Sequence, residues 1–451
     1  MAAMLDSSAA QERAAALIDM ARRAGADAAD AVFSAESSES VQVRLGKLED
    51  VERSESEHIG LRVFIGQSSA SIGSSDVSDA ALAELAERAV AMARLAPEDP
   101  YAGLAPQDLL ANGPFPALDT SDPAEPSPET LRELALAAED AARTVAGVTN
   151  SEGGGASAGR GVFALATSHG FAGGYGSSSF GLSASVIAGE GARMQRDYAW
   201  RSARYLSDLP TPEEIGRMAG ERAVRRLDPG RLSSGQASVV FDPRVGGSLI
   251  GHLTSAMSGG AIARKASYLI GHEDSQLFAP GIEIVDEPHR PRGLRSRPFD
   301  GEGLPTRARA LVRDGRMTGW LMSSAAARQL GGAPTGHAVR GGGGAPGIST
   351  TNTHLAAGTA SVAELIADIR DGVFVTELIG HGVNGVTGDY SRGASGYRIV
   401  NGEIAGPVAE FTVAGNLIAM FRALTPASDL EWHRAVNLPT VRIDGMMIAG
   451  D

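Results

Sequence analysis

The stretch AAQERAAALIDMARRA at residues 9–24 begins the pattern that decides the first half of the fold. Leu17, Ile18 and Ala21 fall on one face at helical spacing, so the stretch predicts an amphipathic helix. Three β-like runs follow, at residues 31–35, 41–45 and 59–65. Residues 76–95 then predict a second amphipathic helix. A helix, several strands and a helix in this order indicate a layered α/β unit.

The chain changes character twice after this unit. Residues 97–127 are rich in Pro, Asp, Ser and Ala without periodicity, and they predict a long connection. Beyond RRLDPGRLSSG at residues 225–235, short apolar runs alternate with Gly, Pro and Asn-Gly turn signals. We therefore predict an α+β protein, with an N-terminal α/β layered domain over residues 1–230. A mainly antiparallel, β-rich C-terminal domain follows over residues 231–451.

Composition excludes several classes of function. The 451 residues include no cysteine, which rules out disulfides, thiol nucleophiles and thiolate zinc ligands. The net charge of −14 disfavours binding to nucleic acid or to anionic membranes. Eight arginines between residues 289 and 316 predict an exposed face rather than a nucleic-acid patch. The first residues lack a basic segment followed by an apolar one, and we expect a soluble, cytoplasmic protein.

A metal site would have to use the nine histidines and the carboxylates. His272 and Glu273 begin like a zinc-binding helix, but Gln276 stands where the second histidine is required. Glu377 and His381 are four residues apart on a predicted strand, where that spacing separates them by about 13 Å. Neither pattern predicts a catalytic metal.

Several motifs occur in a fixed order along the chain. The densest is VTELIGHGVNGVTGDYSRGASGY at residues 375–397, followed by Asn401-Gly402-Glu403 and Ala414-Gly415-Asn416-Leu417. Others lie at residues 194–198, 251–265, 298–303 and 335–338. Taken together, over residues 10–450, they resemble the TldD/PmbA family and specifically its PmbA (TldE) branch. The resemblance implies a subunit of a bacterial zinc metalloprotease that degrades or trims peptides.

The resemblance also implies that this chain lacks the catalytic centre of its family. The TldD partner carries a helix reading His-Glu-x-x-x-His and a later cysteine as zinc ligands, with the glutamate as general base. In the matching stretch, Gly251 and Ala256 stand at the two ligand positions and His252 at the glutamate position. We therefore expect no cofactor in this chain, zinc in the partner TldD subunit, and a metallopeptidase-family protein that is inactive alone.

A noncatalytic subunit would contribute to a shared cavity. The resemblance implies an N-terminal α/β domain, a β-rich C-terminal domain and dimers that enclose that cavity. We expect a heterodimer with a TldD-type catalytic subunit and extended peptide substrates bound through sheet edges and glycine-rich loops. Whether the chain forms a homodimer when it is alone stays open. The side chains expected to face the cavity are His252, His337, Arg340, Asp389 and Arg392. For Asp389 and Arg392, an internal ion pair is the alternative.

Two other functions stay open at this point. An independent hydrolase would use a different metal site, with His252, His337 and His381 as ligands, and would carry stoichiometric metal when isolated. A nonenzymatic binding or regulatory protein would form a tight complex with its target without TldD. The family's association with DNA gyrase modulation and toxin–antitoxin systems is compatible with the second of these, although proteolysis of a small regulator would produce the same effects.

Overall fold

The computed structural model describes residues 6–450, and its N-terminal half is one antiparallel sheet covered by four helices. The helices are α1 (Ser7–Arg23), α2 (Asp79–Leu95), α3 (Pro128–Arg143) and α4 (Pro212–Arg225). The strands are β1 (Ala28–Arg44), β2 (Lys47–Ile65), β3 (Ser68–Ser74), β4 (Val148–Thr167), β5 (Ala172–Ala188) and β6 (Gln195–Ala203). Their order across the sheet is β3-β2-β1-β4-β5-β6, and every neighbouring pair is antiparallel.

All four helices cover the same face of this sheet. Ala31 and Phe33 of β1 share a core with α1 and α2, and Val41 of β1 shares a core with α3 and α4. These are odd-numbered residues of one strand, and alternate side chains of a strand lie on the same face. Val32, on the other face, packs in a cluster with Phe299 from the C-terminal half. The two halves of the chain therefore meet on the face without helices.

The structure joins two of the predicted β-runs into one strand. Residues 31–35 and 41–45 were expected as separate strands, but β1 runs without interruption from Ala28 to Arg44. The polar residues between them are held on both sides: Ser37 lies opposite Glu55 of β2 and opposite Arg160 of β4. Hydrogen bonding from two neighbouring strands keeps this segment extended although its own pattern is not apolar.

The C-terminal half contains short helices and many strands. The helices are α5 (Pro243–Ala256), α6 (Gly259–Ala263), α7 (Ser324–Leu330), α8 (Val362–Ile366) and α9 (Leu417–Arg422). The strands are β7 (Gly235–Phe241), β8 (Ile284–Asp286), β9 (Arg309–Arg313), β10 (Arg316–Met317), β11 (Ala338–Val339), β12 (Gly347–Ile348), β13 (Thr353–Leu355), β14 (Asp371–Ile379), β15 (Asp389–Val400), β16 (Glu403–Asn416), β17 (Leu424–Pro426), β18 (Val436–Asn437) and β19 (Val441–Ala449). Within residues 6–450, no helix has both the length and the apolar character needed to cross a membrane.

The larger C-terminal sheet closes on itself. Its order is β16-β15-β14-β7-β19-β17, and β16 also pairs with β19, which completes a barrel. Only the β7–β14 pair among the neighbours in this sheet is parallel. A second sheet has the order β10-β9-β8-β13-β18, and β11 pairs with β12. The predicted α+β class, with a mainly antiparallel, β-rich C-terminal half, is confirmed.

Buried contacts hold the two halves together. Asp30 of β1 accepts a hydrogen bond from Arg62 Nε of β2 at 2.9 Å and also pairs with Arg340 of the C-terminal half. A Cβ on Gly60 of β2 would lie only 2.3 Å from the carbonyl oxygen of Gly342, so the glycine-rich loop at 341–344 lies directly on the sheet. The division at residues 230 and 231 stays a prediction; α4 ends at residue 225 and β7 begins at residue 235.

Candidate functional site

Helix α5 carries Gly251, His252 and Ala256, the residues that the resemblance aligns with the zinc-binding helix of the TldD partner. Asp242 caps it, because its side chain accepts a hydrogen bond from the Arg244 backbone N–H at 2.8 Å. The buried face of α5 includes Leu249, Ile250 and Leu253. Gly251 and His252 are partly exposed, and Ala256 at the end of the helix is buried. Of the three matching positions, only His252 therefore offers a polar side chain.

The imidazole of His252 lies beside the barrel strand β15. Its ring meets the Tyr390 ring edge-on, with the centroids 6.2 Å apart. Burial lowers the pKa of His252 below its usual range, and the positive charges of Arg392 and His381 add to the effect. Within the described residues, Nε2 of His252 is buried without a hydrogen-bond partner. This histidine is therefore neutral at pH 7.

Asp389 and Arg392 point to opposite faces of β15. Three positions separate them, and alternate residues of a strand face opposite sides. Asp389 accepts hydrogen bonds from the Thr387 hydroxyl at 2.7 Å and from the Asn416 amide at 3.3 Å. Across residues 6–450, no ion pair joins Asp389 to Arg392, so the alternative of an internal pair is wrong. Asp389 is exposed and Arg392 is half-buried.

His337 and Arg340 are interior residues. His337 is 2% exposed, and its Nε2 lies 3.5 Å from a carboxylate oxygen of Asp286. Arg340 is 8% exposed and forms an ion pair with Asp30, which also binds Arg62. Arg340 thus pairs with a buried carboxylate, and His337 lies against another. We therefore assign His337 and Arg340 to the interior of the molecule rather than to a peptide-facing wall.

A cavity of about 710 Å³ adjoins Arg392. Its walls are β6, the start of α5, the end of β14 and residues 434–436, so both halves of the chain contribute. Asp197 of β6 is buried and accepts hydrogen bonds from Arg244 at 2.9 Å and from Arg226 at 3.4 Å. Arg226 also forms an ion pair with Glu377. These interactions fix the floor of the cavity.

Most residues of this cavity were not predicted as site residues. Asp197 lies in the stretch MQRDY at residues 194–198, which belongs to the family resemblance, so that motif was the available signal. Arg244 and Arg434 carried no signal, because single arginines in unrelated segments predict nothing by themselves. Arg295, within the predicted exposed face at residues 289–316, also reaches the wall.

The side chains around α5 do not fit the zinc ion that the family implies. Gly251 and Ala256 have no ligand atoms, His252 stands alone, and a cysteine ligand does not exist in this sequence. Across residues 6–450, no three His, Asp or Glu side chains come close enough together to hold a metal ion. His252, His337 and His381 therefore do not form the alternative metal site.

Family models cover most of the chain in three parts. Residues 29–93 match domain 1 of the PmbA/TldA metallopeptidases, residues 121–227 match their central domain, and residues 234–450 match their C-terminal domain. The first two matches fall on the N-terminal sheet with its helices, and the third falls on the barrel half. The fold and the altered helix thus define a metallopeptidase-related protein.

Curated relatives assign the family. The chain is 39% identical over 426 residues to the metalloprotease PmbA of Escherichia coli O157:H7, covering 94% of this chain and 92% of the relative. It is 36% identical to a PmbA homologue of Haemophilus influenzae, covering 96% and 94% of the two chains. The chain belongs to the PmbA/TldD family, in its PmbA/TldE branch.

Solved structures share the fold over nearly the whole length. A Bacteroides thetaiotaomicron protein described as a candidate modulator of DNA gyrase aligns with a TM-score of 0.90 at 25% identity, covering 99% of this chain and all of that one. TldE from Thermococcus kodakarensis aligns with a TM-score of 0.85 at 20% identity, covering 97% of this chain and all of that one. At 20% identity, the similarity to TldE from Thermococcus kodakarensis shows a shared fold alone.

Proposed function

We propose that this chain is the noncatalytic TldE/PmbA-type subunit of a heteromeric TldD–TldE zinc metalloprotease that degrades or trims unfolded peptides in the cytoplasm. The observation that carries the proposal is α5, where Gly251, His252 and Ala256 stand in place of the ligands and the general base. The zinc ion of the TldD subunit would supply the activated water for hydrolysis. The residues of this chain would bind and orient the peptide.

The candidate peptide-binding surface has two parts. Arg392 lines the cavity that β6 and the barrel half enclose, and His252 lies beside Tyr390 on the same strand as Arg392. Both side chains would face a bound peptide. The second part is an exposed strand edge. Residues 47–57 of β2 pair with β1, whereas β3 pairs only with residues 59–65 of β2. Unpaired main-chain groups along such an edge accept an extended peptide of varied sequence by strand addition.

Reconstitution tests this proposal. An unstructured peptide is incubated with the chain alone, with the TldD-type subunit alone, and with both together, and cleavage products are followed by mass spectrometry. The proposal expects peptide cleavage by the mixture, co-elution of the two chains, and no cleavage by the chain alone. Sustained cleavage by the chain alone, abolished by a chelator, would show that it holds its own catalytic metal and would overturn the proposal.

A nonenzymatic regulatory role is the second candidate. One solved structure with this fold is described as a candidate modulator of DNA gyrase, which concerns that protein. A regulatory chain would bind a target tightly and act without TldD. The test is to delete only the TldD subunit and to measure the effect of this chain on its target, for example on DNA gyrase activity, in cells. Loss of that effect argues for the protease, and its persistence argues for independent regulation.

A further inference from the structure

The cavity beside Arg392 is strongly positive in an acidic protein. Five arginines and two carboxylates line it: Arg226, Arg244, Arg295, Arg392, Arg434, Asp197 and Glu377. The whole chain, in contrast, carries a net charge of −14. Positive charge concentrated in a concave site attracts anions, because the low-dielectric walls focus the field. The cavity therefore has the charge of an anion-binding site.

The two carboxylates are already bound by two of the arginines. Asp197 binds Arg244 and Arg226, and Glu377 binds Arg226. The remaining arginines, Arg295, Arg392 and Arg434, form no ion pair with a carboxylate of residues 6–450. Arg392 and Arg434 are half-buried, and their Nε atoms are enclosed without an acceptor. Arg434 Nη1 donates a hydrogen bond to the Arg244 carbonyl oxygen at 3.1 Å, and its guanidinium group lies over the Trp200 ring, but neither contact supplies a negative charge. A half-buried charge without a counter-ion is costly, so an anion from outside the chain would stabilise this arrangement.

Neighbouring groups respond to the same positive potential. Burial and the nearby arginines Arg201, Arg434 and Arg222 lower the pKa of His433 to about 4. Burial, followed by the charge of Arg201, also holds the pKa of Arg434 below its usual range. Both pKa shifts indicate a positive potential, in agreement with the excess of arginines over carboxylates along the cavity wall. The potential extends through the region around residue 434 and does not arise from one arginine alone.

The size and the walls indicate a peptide rather than a small free ion. About 710 Å³ is within the range of sites that take drug-sized ligands, well above the volume of a single anion. Trp200 and Tyr198 of β6 line the cavity and are 37% and 46% exposed, which gives it an apolar wall. Asp197 shows that arginines of this wall bind a carboxylate, with Arg244 nitrogens at 2.9 and 3.4 Å from its two oxygens.

We propose that this cavity is a carboxylate-binding subsite of the peptide-binding surface. Arg295, Arg392 and Arg434 would hold an Asp or Glu side chain, or the C-terminal carboxylate, of an extended peptide, and Trp200 would contact the adjoining apolar atoms. The proposal rests on the proposed function in that the occupant is a peptide. It adds that the complex prefers peptides with a carboxylate at this subsite.

Peptide binding to the full chain tests the subsite. The probes are a fluorescein-labelled unstructured peptide rich in Glu, the same peptide with Gln in place of Glu, and both again with an amidated C-terminus. We expect the Glu peptide to bind about tenfold more tightly than the Gln peptide, because charge-assisted hydrogen bonds replace neutral ones. The R392Q/R434Q double variant should lose this preference, whereas R398Q, an exposed arginine on β15, should keep it.

This experiment distinguishes a side-chain carboxylate from the C-terminal carboxylate of the peptide. It also tests the subsite separately from the proposed function. Loss of affinity on amidation assigns the C-terminal carboxylate, and its persistence assigns the side chains. Equal binding of the Glu and Gln peptides with no loss of affinity on amidation, binding of neither peptide, or a dependence on the carboxylate that survives in R392Q/R434Q overturns the subsite. Competition by inorganic phosphate that exceeds competition by the Glu peptide assigns the cavity to phosphate and also overturns it. The proposed function is decided separately, by cleavage in the mixture with TldD.

Discussion

At the scale of single residues, His252 reports the electrostatics of the altered site. Its folded-state pKa is lowered by burial and then by Arg392, so the R392Q variant should raise that pKa toward the ordinary value of 6.5. The unfolded state binds the proton of this histidine more tightly than the folded state does. The contribution of His252 to the free energy of unfolding therefore decreases as the pH falls below about 6.5. R392Q should reduce that decrease. NMR titration of the His252 ring signal measures the pKa directly.

The matched control is R398Q, on the same strand. Arg398 is exposed and pairs with Asp371 at 2.9 Å, and it is not among the charges that shift His252. R398Q should therefore leave the titration of His252 unchanged. An unchanged pKa in R392Q, or an equal shift in both variants, would contradict the placement of Arg392 beside His252.

Asp30 carries a second prediction at this scale. Its carboxylate neutralises Arg62 and Arg340 in the interior, so the D30N variant would leave two buried guanidinium groups without a counter-ion. We expect D30N to lower the free energy of unfolding by about 3–5 kcal/mol, measured by urea denaturation. D371N, which breaks the exposed pair with Arg398, should cost less than about 1 kcal/mol. Similar losses in the two variants would show that Asp30 is not an essential counter-ion.

The sequence predicted the chemistry of single residues better than their positions. Gly251 and Ala256 have no ligand atoms in any fold, so the expectation that α5 holds no zinc could be formed from the sequence once the resemblance was recognised. The burial of His337 and Arg340 could not be predicted. It depends on Asp286 and Asp30, which lie far away in the chain and come close only after the sheets have formed.

At the scale of elements, helices were predicted more accurately than strands. Helical spacing and cap residues are local signals. Helix α2 was predicted to begin at residue 76 and begins at residue 79, directly after its cap residue Ser78. The extent of β1 is not local, because pairing with β2 and β4 decides it. The barrel closure between β16 and β19 likewise follows from tertiary pairing that no single segment encodes.

A pair of glycine variants tests the packing of the helices. A Cβ on Gly216 of α4 would lie 2.1 Å from the Ala138 carbonyl oxygen of α3, whereas a Cβ on Gly251 of α5 would meet nothing within 4 Å. G216A should therefore destabilise the protein by about 1–3 kcal/mol. G251A should be neutral or stabilise it by up to about 1 kcal/mol, since alanine favours the helix. Thermal unfolding followed by circular dichroism compares them, and equal effects would refute the close contact between α3 and α4.

At the scale of the whole molecule, charge is distributed unevenly, and the composition of the chain does not show this distribution. The chain is acidic overall, yet α5, β15 and the segments around residues 226, 295 and 434 bring arginines to one cavity between the two halves. The net charge could be calculated from the sequence, whereas this local excess of positive charge depends on how the two halves meet. The proposed function also belongs to this scale, because it has the chain take part in hydrolysis only within a larger assembly.

The zinc content of the purified chain tests the central claim most directly. The chain is prepared without an affinity tag, alone and as a complex with its TldD-type partner, and zinc per protein is measured by mass spectrometry. We predict no stoichiometric zinc in the isolated chain and stoichiometric zinc in the complex, bound to the partner. Stoichiometric zinc in the isolated chain, retained on dialysis and lost together with a peptidase activity of its own, would contradict the account.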